Sequence, residues 1–368
     1  MIRKIFLGVS LLAIAGVWTG CSNDEVMDAT SSEARAIDFR VQGGVPTVSR
    51  TTATTAANVD AFVVYGADYK AANDASNAEL FKGETVARQA GTTNKFDYNP
   101  KKYYSTNAIA ADFVAYSPVN ASRNFTGDFS FIESKTTPTA ATASFTYTVP
   151  APTADGKTSQ EDLLVAGVNT IADGSGILAS AIKFDFKHAL SRIFVKALNP
   201  MPEPVVITNL TLKNLNAKGT ITGATAAPAT GETTAQWTWT WALPAGDAGD
   251  PKSIIDYPYI LANSGISVPA GMKAGTDYPI LVTSMEQGMM VLPQETVNAD
   301  NKDVTGGDFA LEVKYNVSNL TGKTAYVYLT DKYKFEMNKQ YAITISFDSH
   351  TAISFTIAVD NFTNDTSF

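Results

Sequence analysis

The sequence predicts an all-β protein built as two tandem domains, and three observations carry that prediction. Thr, Ala, Ser, Asn, Gly, Tyr and Val are plentiful while Leu, Glu and Lys are sparse, a balance that favours strands and turns over helices. Apolar residues alternate with period two in short runs, most cleanly at Tyr341, Ile343, Ile345 and Phe347 and again at Ile353, Phe355, Ile357 and Val359, the pattern of half-buried strands. The length of 368 residues exceeds one domain of ordinary size.

Charge and cysteine content narrow the setting. Charged residues make up 17% of the chain and the net charge is -8, with no basic cluster after the first few residues, so nucleic acid is not an expected partner. One cysteine, Cys21, forms no intramolecular disulfide, and the body must be held by burial alone.

Residues 1–20 read as an export signal. Arg3 and Lys4 precede an apolar run from Ile5 to Trp18, shorter than the ~20 residues that cross a bilayer as a helix. The stretch Val17-Trp18-Thr19-Gly20-Cys21 resembles a bacterial lipobox, which makes Cys21 the expected lipidation site. Asp24 and Glu25 follow it and resemble the surface-export signal of Bacteroidales lipoproteins; a solvated tether is a compatible reading.

A single strand pattern comes next. Ile37, Phe39 and Val41 lie on one face, with Asp38, Arg40 and Gln42 on the other, and Gly43-Gly44 ends the run. The Thr-rich stretch from Pro46 to Thr55 reads as an accessible loop, so Arg50 is the expected point of cleavage, before Thr51, with Arg35 and Arg40 as rivals. No lysine occurs between Lys4 and Lys70. Loss of three large apolar side chains would forfeit about 5–8 kcal/mol, comparable with the whole stability of a domain, and would leave unpaired backbone as a template for an incoming strand.

The body divides, in expectation, into 51–178 and 179–368. Strand patterns fall at 61–65, 98–104, 112–116, 144–149 and 161–168, then at 181–197, 205–212, 219–222, 236–241, 280–282, 289–294, 309–317 and 325–329. Asp348 to Thr351 is short enough for a hairpin between the two closing runs. The second of these, Ile353 to Val359, shares its period and apolar face with Ile37 to Val41.

Taken in order, the lipobox at Cys21, the single strand before Arg50, Phe184-Asp185-Phe186-Lys187-His188-Ala189-Leu190-Ser191, Val291-Leu292-Pro293-Gln294 and the segment from Tyr333 to Tyr341 resemble the Bacteroidales fimbrillin family, the subunits of type V pili. The Phe184 segment looks like the opening of that family's second domain. The resemblance implies two tandem transthyretin-like β-sandwiches with Greek-key-like connections. It also implies a precursor whose Cys21 carries a palmitate-type lipid on the outer membrane, release after Arg50 by an arginine-specific protease, and head-to-tail polymerisation into an extracellular fimbrium serving adhesion. In that scheme Ile37, Phe39 and Val41 are the removable strand, and Ile353, Phe355, Ile357 and Val359 are the donor strand. An anchor or tip subunit is the alternative within the family.

Few residues suggest chemistry. His188 and His350 are the only histidines and fall in no metal-site spacing; His188 reads as structural and His350 as part of an exposed turn. No nucleophile elbow or phosphate loop stands out, so neither catalytic residues nor a cofactor or metal are expected. Trp237, Trp239 and Trp241 alternate with Thr238 and Thr240, which sets three indoles on one side of a strand. They make either an aromatic core face or a glycan platform, and the platform defines a rival reading: a monomeric surface lipoprotein that binds host or bacterial surface glycans.

Overall fold

In the computed structural model the described residues are 36–41, 59–70, 78–92, 95–132, 141–151, 160–174, 176–225, 227–243, 254–259, 261, 265–277, 279–282, 288–295, 308–328 and 334–361. They belong to one compact unit that runs from residue 35 to the C-terminus. Cys21, Arg50 and Thr51 lie outside the described residues. Among the described residues the body is all-β, as expected, with one short 3-10 turn at Val119–Asn124.

The first strands are β1 (Asp38–Val41), β2 (Ala61–Lys70), β3 (Ala78–Arg88), β4 (Lys95–Asp97), β5 (Ala108–Ser117), β6 (Phe125–Ile132), β7 (Thr142–Thr148) and β8 (Leu164–Ile171). Next come β9 (Ala181–Phe184), β10 (Lys187–His188), β11 (Ser191–Leu198), β12 (Val205–Asn216), β13 (Lys218–Ala224), β14 (Thr234–Gln236) and β15 (Thr238–Ala242). The remainder are β16 (Ile254–Tyr259), β17 (Ile266–Val268), β18 (Ile280–Leu281), β19 (Met289–Val291), β20 (Gln294–Glu295), β21 (Ala310–Val317), β22 (Leu320–Tyr328), β23 (Lys334–Phe335), β24 (Lys339–Phe347) and β25 (Ile353–Asn361).

The first sheet runs in the order β10-β8-β5-β2-β3-β4-β1-β9, with β14 also paired to β8. Phe39 of β1 touches Phe62 of β2 and Phe113 of β5, so the sheet curls over on itself and encloses one core. That core includes Ile37, Phe39, Phe62, Phe81, Phe96, Phe113, Ile182 and Phe184. Two further sheets, β18-β11-β24-β25 and β16-β12-β21-β22, face each other around a second core. Ile193, Val195, Ile343, Ile345 and Phe347 come from one side and Ile207, Leu210, Leu212, Val313 and Tyr315 from the other. Alternation along each strand turns these side chains inward, as in any sandwich.

A third layer joins the halves. In the sheet β15-β13-β7-β6, β7 of the N-terminal half pairs with β13, matching Phe145 with Ile221. Tyr65 of β2 stacks on Phe129 of β6 with centroids 4.3 Å apart. The segment expected to open the second domain behaves differently from that expectation: β9 pairs in parallel with β1 and β10 pairs with β8. Residues 181–188 therefore close the first sheet, and the chain enters the second sandwich at β11. The reason is burial, since Ile182, Phe184 and Phe186 all pack into the first core.

Several strands appear where the sequence pattern marks none, notably β3, β6 and β16. The expected hairpin is present, with Phe347 opposite Ile353 and the Asp348 and Ser349 amides both donating to the Ala352 carbonyl, at 3.0 and 3.2 Å. Phe347 is fully buried and meets Tyr315 across the second sandwich, ring to edge at 5.1 Å. Phe347→Ala is expected to lower unfolding free energy by about 3–5 kcal/mol, read as a lower urea midpoint at unchanged slope.

Candidate functional site

The geometry centres on β1. All four of its residues pair in parallel with β9 (Phe39 opposite Ile182), and Phe39 and Arg40 also pair antiparallel with β4 (Phe39 opposite Phe96). Backbone bonds fasten the start of the strand: the Ile37 amide donates to the Lys102 carbonyl at 3.0 Å and the Asp38 amide to the Ser180 carbonyl at 2.7 Å. The Tyr98 hydroxyl donates to the Ile37 carbonyl at 2.6 Å.

The sequence sets the apolar face of β1, and the fold supplies its receptor. Ile37, Phe39 and Val41 are 0%, 1% and 6% exposed. The Phe39 ring is enclosed by Phe62, Phe81, Tyr98 and Phe113, and stacks on Phe184 at 5.6 Å with planes 11° apart. Edge and stacked contacts of this kind add to what burial alone provides. Sequence reading found the strand but missed the receptor, because its aromatic residues are spread from Phe62 to Phe184 with no common spacing.

The other terminal strand sits quite differently. Among the described residues β25 pairs only with β24 and forms the edge of its sheet. Ile353, Phe355 and Ile357 are half-buried against the second core, and Val359 is 52% exposed. Aligned on their phenylalanines, Ile37-Asp38-Phe39-Arg40-Val41 and Ile353-Ser354-Phe355-Thr356-Ile357 carry the same apolar sequence: Ile, then Phe, then a β-branched aliphatic.

The three tryptophans separate. Trp237 is buried beside Val114 and Ala143, with its ring 6.4 Å from that of Phe131. Trp239 and Trp241 are only partly buried, on the edge strand β15, and the Trp241 indole donates to the Ala189 carbonyl at 2.7 Å. His188 is fully buried with Nδ1 2.6 Å from Asp162 Oδ2, a pair sealed between β8 and β10. His350 is exposed in the closing hairpin and lies 3.5 Å from Glu203. Among the described residues no group of three potential ligands could hold a metal ion, and no helix is long and apolar enough to cross a membrane.

One buried carboxyl is set apart by its environment. Asp112 on β5 is fully buried, accepting from Asn169 Nδ2 at 3.0 Å and from the Thr225 hydroxyl at 3.3 Å. Burial pushes its pKa up from 3.8 to about 6, against the opposing effect of these hydrogen bonds. Asp112 braces the crossing of β5, β8 and the chain after β13.

A curled aromatic-lined sheet that holds β1, joined to a second sandwich that ends in an edge strand, places the chain among tandem β-sandwich proteins. The chain belongs to the fimbrillin-like family, whose model matches residues 49–361. It is similar in structure to a fimbrial protein from Bacteroides vulgatus, at 16% identity and a TM-score of 0.56, covering 89% of this chain and 100% of that one. A solved protein from Bacteroides uniformis matches at 14% identity and a TM-score of 0.44, over 90% and 99% of the two chains. A fimbrial assembly protein from Parabacteroides distasonis matches at 11% identity and a TM-score of 0.36, over 89% and 99%. No curated protein matches significantly.

The Asp112 carboxyl carries a pH signature. Below about pH 4 it is protonated in the folded and the unfolded chain alike. Between about pH 4 and 6 the unfolded chain releases the proton while the folded chain keeps it, so stability falls as pH rises, by on the order of 3 kcal/mol in all. Asp112→Asn is expected to abolish that decline, so its advantage over the native chain in urea unfolding grows from pH 4 to pH 7 and then levels off.

Proposed function

We propose that this protein is a structural subunit of a type V pilus, exported as an outer-membrane lipoprotein and polymerised by strand exchange. Cys21 carries the lipid during export, and β1 completes the first core while the precursor is still a monomer. Cleavage between Arg50 and Thr51 by an arginine-specific protease severs β1 and the lipid from the body. β25 of another subunit then occupies the vacated groove, and head-to-tail repetition of that contact produces an open filament that serves adhesion.

The observation that carries this reading is the contrast between two strands of like pattern. β1 is buried and paired on both edges, whereas β25 is paired on one edge and half exposed. Loss of β1 would open the edges of β4 and β9 and bare Phe62, Phe81, Tyr98, Phe113 and Phe184. Each large apolar side chain seated there is worth about 1.5–3 kcal/mol, so an incoming Ile353, Phe355 and Ile357 would gain burial that they lack in their own subunit. The family match supports the same division, since it begins at residue 49, beyond β1, and ends at residue 361, the last residue of β25.

The test is made on surface material from the producing bacterium. The native chain is expected to begin at Thr51 and to run as a detergent-resistant ladder when unboiled. Arg50→Ala should leave a lipid-bearing monomer that begins at Cys21, and a stop before Ile353 should be cleaved yet remain unpolymerised. A full ladder from either variant would overturn the proposal.

A further inference from the structure

The two partly exposed tryptophans face a cleft that strand exchange does not use. It has a volume of about 560 Å³ and lies between the edge strand β15 and the small β20-β23 ribbon, within the range of about 300–1,000 Å³ usual for small-ligand sites. Trp239, Trp241 and Met337 supply apolar wall, and Glu295, Lys334 and Glu336 stand on the side formed by the ribbon and the residue after it.

The indole wall has a structural cause. Trp239 lies directly opposite Gly223 of β13, and a Cβ at position 223 would stand 2.7–2.8 Å from three atoms of the six-membered ring. Three nearly equal distances mean that the six-membered ring lies flat over the glycine. Trp241 is fixed by its bond to the Ala189 carbonyl. Each ring is therefore held in place where it lines the cleft, which lowers the ordering cost of binding.

We infer that this cleft is a binding site for a neutral saccharide, its pyranose ring laid against the indoles of Trp239 and Trp241 and its hydroxyls bonded by Glu295, Lys334 and Glu336. The C–H face of a pyranose matches the electron-rich face of an indole, while carboxylates and an ammonium together satisfy hydroxyls as both donors and acceptors. Two glutamates against one lysine oppose an acidic sugar. Lys334 and Glu295 are 60% and 69% exposed and 4.0 Å apart, so both are free to turn toward a ligand at little cost. The site is formed by residues of a single chain, so it stands or falls independently of cleavage and polymerisation.

The experiment follows tryptophan emission of the full chain on titration with methyl β-D-galactopyranoside, N-acetyllactosamine and mannobiose, with 3'-sialyllactose as the acidic comparison. Apart from Trp18, all the tryptophans lie at 237–241, so the signal reports this region. A saturable change is expected with at least one neutral sugar and a weaker one with sialyllactose. Glu336→Gln, at an exposed position, should weaken the neutral sugar about 10-fold, the size of one lost hydrogen bond to a charged group, with the near-ultraviolet circular dichroism of the tryptophans unchanged. Trp239→Leu should weaken it at least as much; if that chain does not fold, the Glu336→Gln result decides alone. No saturable change with any neutral sugar, binding of sialyllactose alone, or undiminished affinity in Glu336→Gln would overturn the inference.

Discussion

Phe39 in its aromatic socket is the contact on which the first half of the molecule depends. The sheet that surrounds it has β1 and β9 at its far end, and the packing of Phe39 against Phe62 and Phe113, with Phe184 also against Phe62, folds that end back over the centre. A sheet without such closure would leave β2 and β5 bare on one face. The strand that closes the core is short and is the first of the described strands, and its apolar side chains are almost wholly buried. In the assembly proposed above, that combination is what would let another chain supply the same contacts.

The second half is organised by crossing connections. β11 lies parallel to β24 and antiparallel to β19, so residues almost 150 positions apart form one ladder. The shared sheet of β6, β7, β13 and β15 then ties the two cores into one unit. Two buried glutamines sit at these crossings with both ends of their amides paired. Gln160 exchanges two bonds with the Met290 backbone at 3.0 Å each, and Gln294 bonds both the amide and the carbonyl of Asn216. Groups buried in this way fix register, because a shifted strand would strand them without partners.

What the strand patterns revealed and what they hid follows from the same physics. The closing hairpin was legible because each of its strands keeps strict alternation. β3 was not: Gly83, at φ 91°, is an extra residue opposite the Val64–Tyr65 step of β2, and that bulge shifts the side-chain alternation partway along the strand. The buried positions Leu80, Phe81 and Val86 therefore fail to read as one face. The segment at Phe184 was recognisable by its aromatic residues, yet its assignment to the second domain failed because sequence order does not reveal which core an aromatic side chain enters.

By itself the sequence determined the all-β class, the two closing strands, the isolated strand at Ile37–Val41 and the family likeness, since each rests on local periodicity or on the order of short motifs. Only the tertiary structure decided where those pieces go. It seated β1 between β4 and β9, left β25 on an edge, buried Trp237 and brought Trp239 and Trp241 to a cleft beside Glu295 and Glu336. The physical reason is that alternation specifies which side chains share a face, whereas the partner of that face is chosen by non-local packing, among residues with no fixed separation along the chain.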